Sequence, residues 1–154
     1  MSEPATVHAS AVLVGERGVL IRGPSGSGKS SLLLGLLAGE PATTWLIADD
    51  RVILTAAHGR LIAAVPPALA GQLEIRGQGI VRRPFVSPAR LHLTVDLMRL
   101  ADCERMPSAE AEAIVLEGVE LPRLRLPIAA TEGPARVRAA LARPTGGEAL
   151  KRSV

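Results

Sequence analysis

Aromatic side chains are almost missing from this sequence: it has no tyrosine, one tryptophan (Trp45) and one phenylalanine (Phe85). Modules that read RNA or single-stranded nucleic acid stack bases on several aromatic rings, so the composition counts against that class and no nucleic-acid partner is expected. Cysteine is as scarce. With Cys103 alone, neither a disulfide framework nor a cysteine-ligated metal or redox site is available, and a single thiol agrees with a reducing compartment. Lysine is the third shortage: sixteen of the eighteen Lys and Arg side chains are arginine, leaving only Lys29 and Lys151. A lone internal lysine asks for a specific use. Apolar runs such as Leu32–Ala38 fall far short of the roughly 20 residues that cross a bilayer. Residues Met1–Thr6 have neither the cationic start nor the apolar stretch of a secretion signal. No membrane partner is expected, and a cytoplasmic location is.

What is present suits one ordinary domain. A chain of 154 residues that is 47% hydrophobic can bury a sizeable core without a disulfide or metal staple, and that core must be aliphatic. The net charge of +3 favours phosphate groups or an acidic partner without demanding nucleic acid.

The β-rich runs Val7–Val14 and Val19–Ile21, separated by Gly15-Glu16-Arg17-Gly18, predict a hairpin that feeds a glycine-rich segment. Good helix formers from Lys29 to Leu37, stopped by Gly39 and Pro41, predict a helix behind that segment. Trp45–Ala48 reads as a short strand ending in Asp49-Asp50. Arg51–Thr55 and Leu61–Val65 read as a strand pair. Gly77 and Gly79 predict a loop over Glu74–Ile80, and the alternation of Leu91–Leu97 predicts a half-buried strand. A polar loop or short helix over Ser108–Ala113, a last strand over Val119–Leu126, a closing helix from Pro134 to Ala142 and a frayed tail from Arg143 complete the pattern. The expected architecture is one α/β domain over residues 1–142 with a β-rich open sheet and flanking helices.

The segment Gly23-Pro24-Ser25-Gly26-Ser27-Gly28-Lys29-Ser30 fits the phosphate-loop pattern G-x-x-x-x-G-K-[ST]. Small residues let successive backbone N–H groups turn inward around a phosphate, the following helix adds its positive dipole end, and the lysine reaches the β/γ-phosphates. Ser30 offers its hydroxyl to Mg²⁺, so ATP and Mg²⁺ are the expected cofactors, and the lone internal lysine has its use. In Asp49-Asp50, one carboxylate can hold Mg²⁺ directly or through water while the other accepts a proton. Taken alone, His8 is an ordinary strand residue, Glu74 and Arg76 make an exposed ion pair, and His58 and His92 are structural.

With these residues laid out, the chain resembles the catalytic domain of the HPr kinase/phosphorylase family, bacterial enzymes that phosphorylate a serine on the phosphocarrier protein HPr. The resemblance rests on Val7-His8 one hairpin before Gly23–Ser30, on Ala48-Asp49-Asp50, and above all on Leu73-Glu74-Ile75-Arg76-Gly77-Gln78-Gly79-Ile80, which is similar to the signature L-E-I-R-G-x-G-I. It implies that Lys29 holds the phosphates, that Ser30 and Glu74 place Mg²⁺, and that His8 lies beside the transferring phosphoryl. One of Asp49 and Asp50 would take the proton from the substrate serine, and Arg105 matches an active-site arginine. It also implies an HPr-type carrier as partner, a phosphotransferase-type relay as context and a hexameric assembly. The alternatives on the same motifs are a small-molecule kinase and a non-catalytic nucleotide sensor. Two departures stand out. The phosphate loop begins at Gly23, so the separate N-terminal domain is expected to be lacking, as in the short alphaproteobacterial forms. Ala129-Ala130-Thr131-Glu132-Gly133-Pro134 stands where the family carries a Gly/Arg-rich segment linked to dephosphorylation, so the kinase direction is carried further than the phosphorylase one. Arg82-Arg83 and Arg90 are the expected contacts for an acidic edge of the partner.

Overall fold

The computed structural model describes residues 5–103 and 112–143. Eleven strands and two α-helices follow one another as β1 (Thr6–His8), β2 (Ser10–Val14), β3 (Arg17–Arg22), α1 (Lys29–Gly39), β4 (Thr44–Ala48), β5 (Arg51–Ala57), β6 (Arg60–Ala64), β7 (Gln72–Ile75), β8 (Gly79–Arg82), β9 (Ala89–Met98), β10 (Ala113–Leu116), β11 (Val119–Pro127) and α2 (Gly133–Ala142). Nine strands form one mixed sheet along the path β1-β5-β6-β9-β3-β2-β4, with β11 beside β9 and β10 beside β11. Strands β7 and β8 make a separate hairpin.

One bend shapes the sheet. The expected single strand Val7–Val14 is broken at Ala9: β2 pairs with β4 and β1 with β5, so one antiparallel ribbon continues across the break. Opposite Ala9, the tight turn Asp49-Asp50 joins β4 to β5, closed by Arg51 N–H donating to Asp49 O and by Ala9 N–H donating to Asp50 O. The pairing path keeps two ends, as an open sheet does, but the bend curls it so that β5 and β6 return to meet the start of β9. The inside of the curl is lined by small side chains, Ala9, Ala11, Ala48 and Ala63, among Leu20, Ile47, Val52, Leu61 and Leu91. Small residues permit the close approach that the curvature needs. At Gly18 a Cβ would lie 2.2 Å from Arg90 O, so only glycine fits where β3 crosses onto β9.

The outer face is covered by both helices, which pack on each other as well as on the sheet. Leu32, Leu33, Leu36 and Leu37 of α1 and Val137 and Leu141 of α2 meet Ile21, Leu46, Val95, Leu97 and Leu126. The flanking helices therefore share one side, and the sheet's own curl covers the other. Arginines join these parts: Arg138 donates from Nη2 to Leu36 O (2.6 Å) near the end of α1, and Arg17 donates to Leu141 O near the end of α2. A cation at a helix C-terminus meets unpaired carbonyls and the negative dipole end.

Two expectations are corrected. Glu74–Ile80 is not a loop; it is the turn and flanks of the β7–β8 hairpin, paired Gln72↔Arg82 to Ile75↔Gly79 and anchored by the buried Leu73. The two glycines occupy its turn and the first position of β8, and cross-strand pairing overrides their local preference. The strand over Leu91–Leu97 is not half-buried: Thr94 and Asp96, read as its polar face, are 0% and 6% exposed. Parallel neighbours β3 and β11 flank this stretch on both sides, which is the buried setting of parallel strands. The β10 strand begins at the last residue of the polar segment Ser108–Ala113, of which residues 108–111 lie outside the described ones, as does the tail beyond Arg143.

Candidate functional site

The glycine-rich segment forms the connection from β3 to α1, the strand–loop–helix context that its pattern requires. Gly28, the residue before α1, has φ +98°, a conformation that side-chain-bearing residues rarely adopt. The turn is closed by Ser27 N–H donating to Pro24 O at 3.0 Å. Lys29 is 7% exposed and folds back over the loop, its Nζ donating to Gly23 O (2.8 Å) and Pro24 O (3.0 Å). Burial pushes its ammonium below the usual lysine range, partly offset by the charges of Asp50 and Asp49. A helix N-terminus behind a loop of this shape turns unpaired N–H groups toward an anion.

Asp49 is the hub. Its Oδ1 accepts from Ser10 Oγ (2.7 Å) and Ser30 Oγ (2.9 Å), and its Oδ2 accepts from Glu74 N–H (3.0 Å). Four elements thus meet on one carboxylate: β2, the start of α1, the end of β4 and β7. Asp49 is 6% exposed, and every donor it has is neutral. Asp50 is its opposite. It has φ +73°, a left-handed backbone that costs energy in a residue with a side chain. Its side chain is 64% exposed and meets His8 Nε2 at 3.1 Å. The bend at Ala9 and the turn at Asp49-Asp50 thereby send neighbouring carboxylates to different tasks, one inward and one outward.

These groups border a cavity of about 910 Å³. Its walls carry His8, Ser10, Asp50, Glu74 and Arg76 together with Ser25–Leu32, and it runs on to the connection between β11 and α2 at Pro127–Thr131. The structure thus brings together His8, Ser25, Gly26, Ser27, Gly28, Lys29, Ser30, Asp50 and Glu74 on one cavity, with Gly23, Pro24 and Asp49 directly behind. Arg105 lies outside the described residues. Glu74 and Arg76 form no ion pair among the described residues; Glu74 is tied in by its backbone. Ser10 was missed by sequence reasoning, although a lone hydroxyl inside the apolar run Ala9–Val14 was the available signal. His92 is structural, as expected: its Nδ1 accepts from Gly18 N–H at 3.2 Å. Arg82 and Arg90 are exposed.

The oxygen set of Ser30, Asp49 and Glu74 is the chemistry of a hard divalent cation. No group of three or more His, Cys, Asp or Glu side chains among the described residues forms a metal cage. That combination suits a cation held partly by phosphate oxygens, as Mg²⁺ commonly is.

Comparison with known proteins places the fold and the family. The HPr(Ser) kinase/phosphatase from Coxiella burnetii superposes with a TM-score of 0.75 over 90% of this chain and 88% of that one at 23% identity, which establishes the shared fold. The HPr kinase/phosphorylase of Mycoplasma mycoides is 31% identical over 141 residues, spanning 84% of this chain and 44% of the relative. That of an Azoarcus species is 34% identical over 161 residues, spanning 94% and 49%. The chain therefore matches a little under half the length of these relatives. The profile of the HPr serine kinase C-terminal domain matches residues 1–145, and on that match the chain belongs to the HPr serine kinase C-terminal domain family.

Proposed function

We propose that this protein transfers a phosphoryl group from ATP to a serine hydroxyl of an HPr-type carrier protein, with Mg²⁺. The observation that carries the proposal is the Asp49 hub, which ties Ser30 of the glycine loop to Glu74 of the hairpin beside the open carboxylate of Asp50. Phosphoryl transfer asks little covalent chemistry of a protein; it asks for positioning and for charge placed where charge develops. The loop Gly23–Ser30 cradles the phosphates through its N–H groups, and Lys29 leaves the carbonyls of Gly23 and Pro24 for the β/γ-phosphates. Ser30 and Glu74 hold Mg²⁺, with Asp49 behind them fixing the Ser30 hydroxyl and the Glu74 backbone. When bound, the metal neutralises charge on the phosphate oxygens.

Geometry separates the two aspartates. Asp49 has its oxygens occupied by Ser10, Ser30 and the Glu74 N–H, whereas Asp50 faces the cavity. We assign Asp50 as the group that takes the proton from the substrate serine and His8 as the residue that orients it. As the serine oxygen bonds to the γ-phosphorus and the bond to ADP breaks, the serine proton passes to Asp50. The test is incubation with HPr and labelled ATP. Labelled phosphoserine that disappears in Asp50→Asn, with nucleotide binding intact, is the expected result. Label passing only to a metabolite would instead mark a small-molecule kinase, and tight ATP binding without turnover would mark a nucleotide sensor.

A further inference from the structure

We infer that Arg76, at the turn of the β7–β8 hairpin, is a catalytic cation that contacts the transferring phosphoryl group. The inference rests on the phosphoryl-transfer reading above and adds a residue to it.

Among the residues lining the cavity only His8, Lys29 and Arg76 can carry positive charge. His8 is paired with Asp50. Lys29 is folded onto the loop carbonyls. Arg76 is exposed and has no acidic partner among the described residues, even though Glu74 lies two positions away on the same strand run. Other arginines are used internally, Arg22 and Arg123 on Asp96, Arg138 on Leu36 O and Glu40, and Arg17 on Leu141 O, and those that are exposed, such as Arg82 and Arg90, do not line the cavity. Arg76 is different in that it alone of the arginines lines the cavity, with no acidic partner among the described residues.

Its mounting is fixed. The hairpin is tied to the catalytic centre by Glu74 N–H on Asp49 Oδ2 (3.0 Å), and its turn is closed by Gln78 N–H on Ile75 O (2.9 Å). Leu73 buries its root beside α1. Arg76 thus sits one turn from the Asp49 hub, on a wall of the same cavity as the glycine loop, with a long side chain free to swing. A guanidinium presents five donors in a planar fork that matches phosphate oxygens two at a time, and it stays charged at any working pH. Placed there, it meets the charge that spreads over the equatorial oxygens in the transition state.

The experiment measures binding of Mg·ADP and of Mg·ADP with aluminium fluoride, a mimic of the transferring phosphoryl, by calorimetry on the full chain. In Arg76→Ala the fluoride complex is expected to weaken about 10²–10³-fold, while Mg·ADP affinity stays within about threefold and Arg76→Lys recovers part of the loss. Added guanidinium is expected to restore affinity to Arg76→Ala, which no structural role of the side chain would explain. Equal loss of Mg·ADP and fluoride-complex binding, or retention of both, overturns the role of Arg76 and leaves the phosphoryl-transfer reading standing. Failure of the unmodified protein to bind either probe overturns both.

Discussion

Asp49 and Asp96 are each 6% exposed, yet they are built in opposite ways. Asp96 is neutralised from within. Arg22 donates Nε to its Oδ1 (2.8 Å) and Nη2 to its Oδ2 (2.9 Å), and Arg123 donates Nε to Oδ2 at 2.5 Å. Burial would raise its carboxyl, but the hydrogen bonds and charges of Arg22 and Arg123 outweigh that and hold it below the usual carboxylate range. Asp49 receives only hydroxyl and amide donors, which stabilise a carboxylate without cancelling its charge. An ion pair closed on itself is a brace, whereas a buried carboxylate held by neutral hydrogen-bond donors, with the Lys29 ammonium acting on it only through its charge, keeps room for a further cation. The comparison separates a brace from a site by charge balance rather than by burial.

The largest expected effect breaks the brace. Asp96→Ala leaves two partly buried guanidinium groups facing each other and is expected to cost about 3–5 kcal/mol in urea unfolding. Replacing Asp96, Arg22 and Arg123 together by apolar residues of similar size is expected to recover most of it, because no uncompensated charge then remains. Next is Lys29→Met, which removes the cation from the glycine loop; phosphoryl transfer is expected to fall about 10²–10³-fold in a radiolabel assay, with the melting temperature little changed. Asp49→Asn preserves size but removes the charge, and its effect is expected to be about 10–100-fold in metal affinity or turnover, read by Mg²⁺ titration. Its cost in stability is expected to be only about 1 kcal/mol, far below that of Asp96→Ala. If the two aspartates cost the same in stability, the distinction between brace and site collapses.

The smallest effect is in the pH dependence. Burial, helped by the charges of Arg90 and Arg17 against a backbone hydrogen bond at Arg90, lowers the His92 imidazole below its ordinary value of 6.5. The fold therefore prefers neutral His92, whose Nδ1 accepts from Gly18. Its contribution is fully present above pH 6.5 and is lost as pH falls from there through the lowered folded value. Removing that slope with His92→Gln is expected to change stability by under about 1 kcal/mol between roughly pH 7 and pH 5 in chemical denaturation. Asp96 acts at lower pH with the same sign: its contribution is present above its ordinary value of 3.8 and is lost as pH falls through the depressed one.

Much of the site was legible because its signals are local. Gly23–Ser30 announces a loop before a helix by spacing alone, and Asp49-Asp50 ends a strand in plain view. The hairpin was misread for a related reason: Gly77 and Gly79 mark a turn correctly, but only pairing with Gln72–Ile75 tells a turn from a loop. The alternation of Leu91–Leu97 was read as one wet face, and that inference fails wherever a strand acquires covered neighbours on both sides. Ser10 lies 39 residues from Asp49, and nothing in its own neighbourhood names that partner.

The sequence by itself determined the strand–loop–helix order around Gly23–Ser30, the aliphatic core forced by two aromatic residues, and a loop whose spacing suits a phosphate. Backbone conformation and small side chains specify these within a few residues of each other. Tertiary structure decided which acid is buried and which is exposed. The bend at Ala9 turns Asp49 inward onto Ser10, Ser30 and the Glu74 N–H and leaves Asp50 facing the cavity with His8. Tertiary structure also brings Arg22 and Arg123 to Asp96 while Arg76 lines the cavity without an acidic partner among the described residues. Charge balance at a buried group is a sum over partners distant in sequence, so it comes into being only when the sheet has curled.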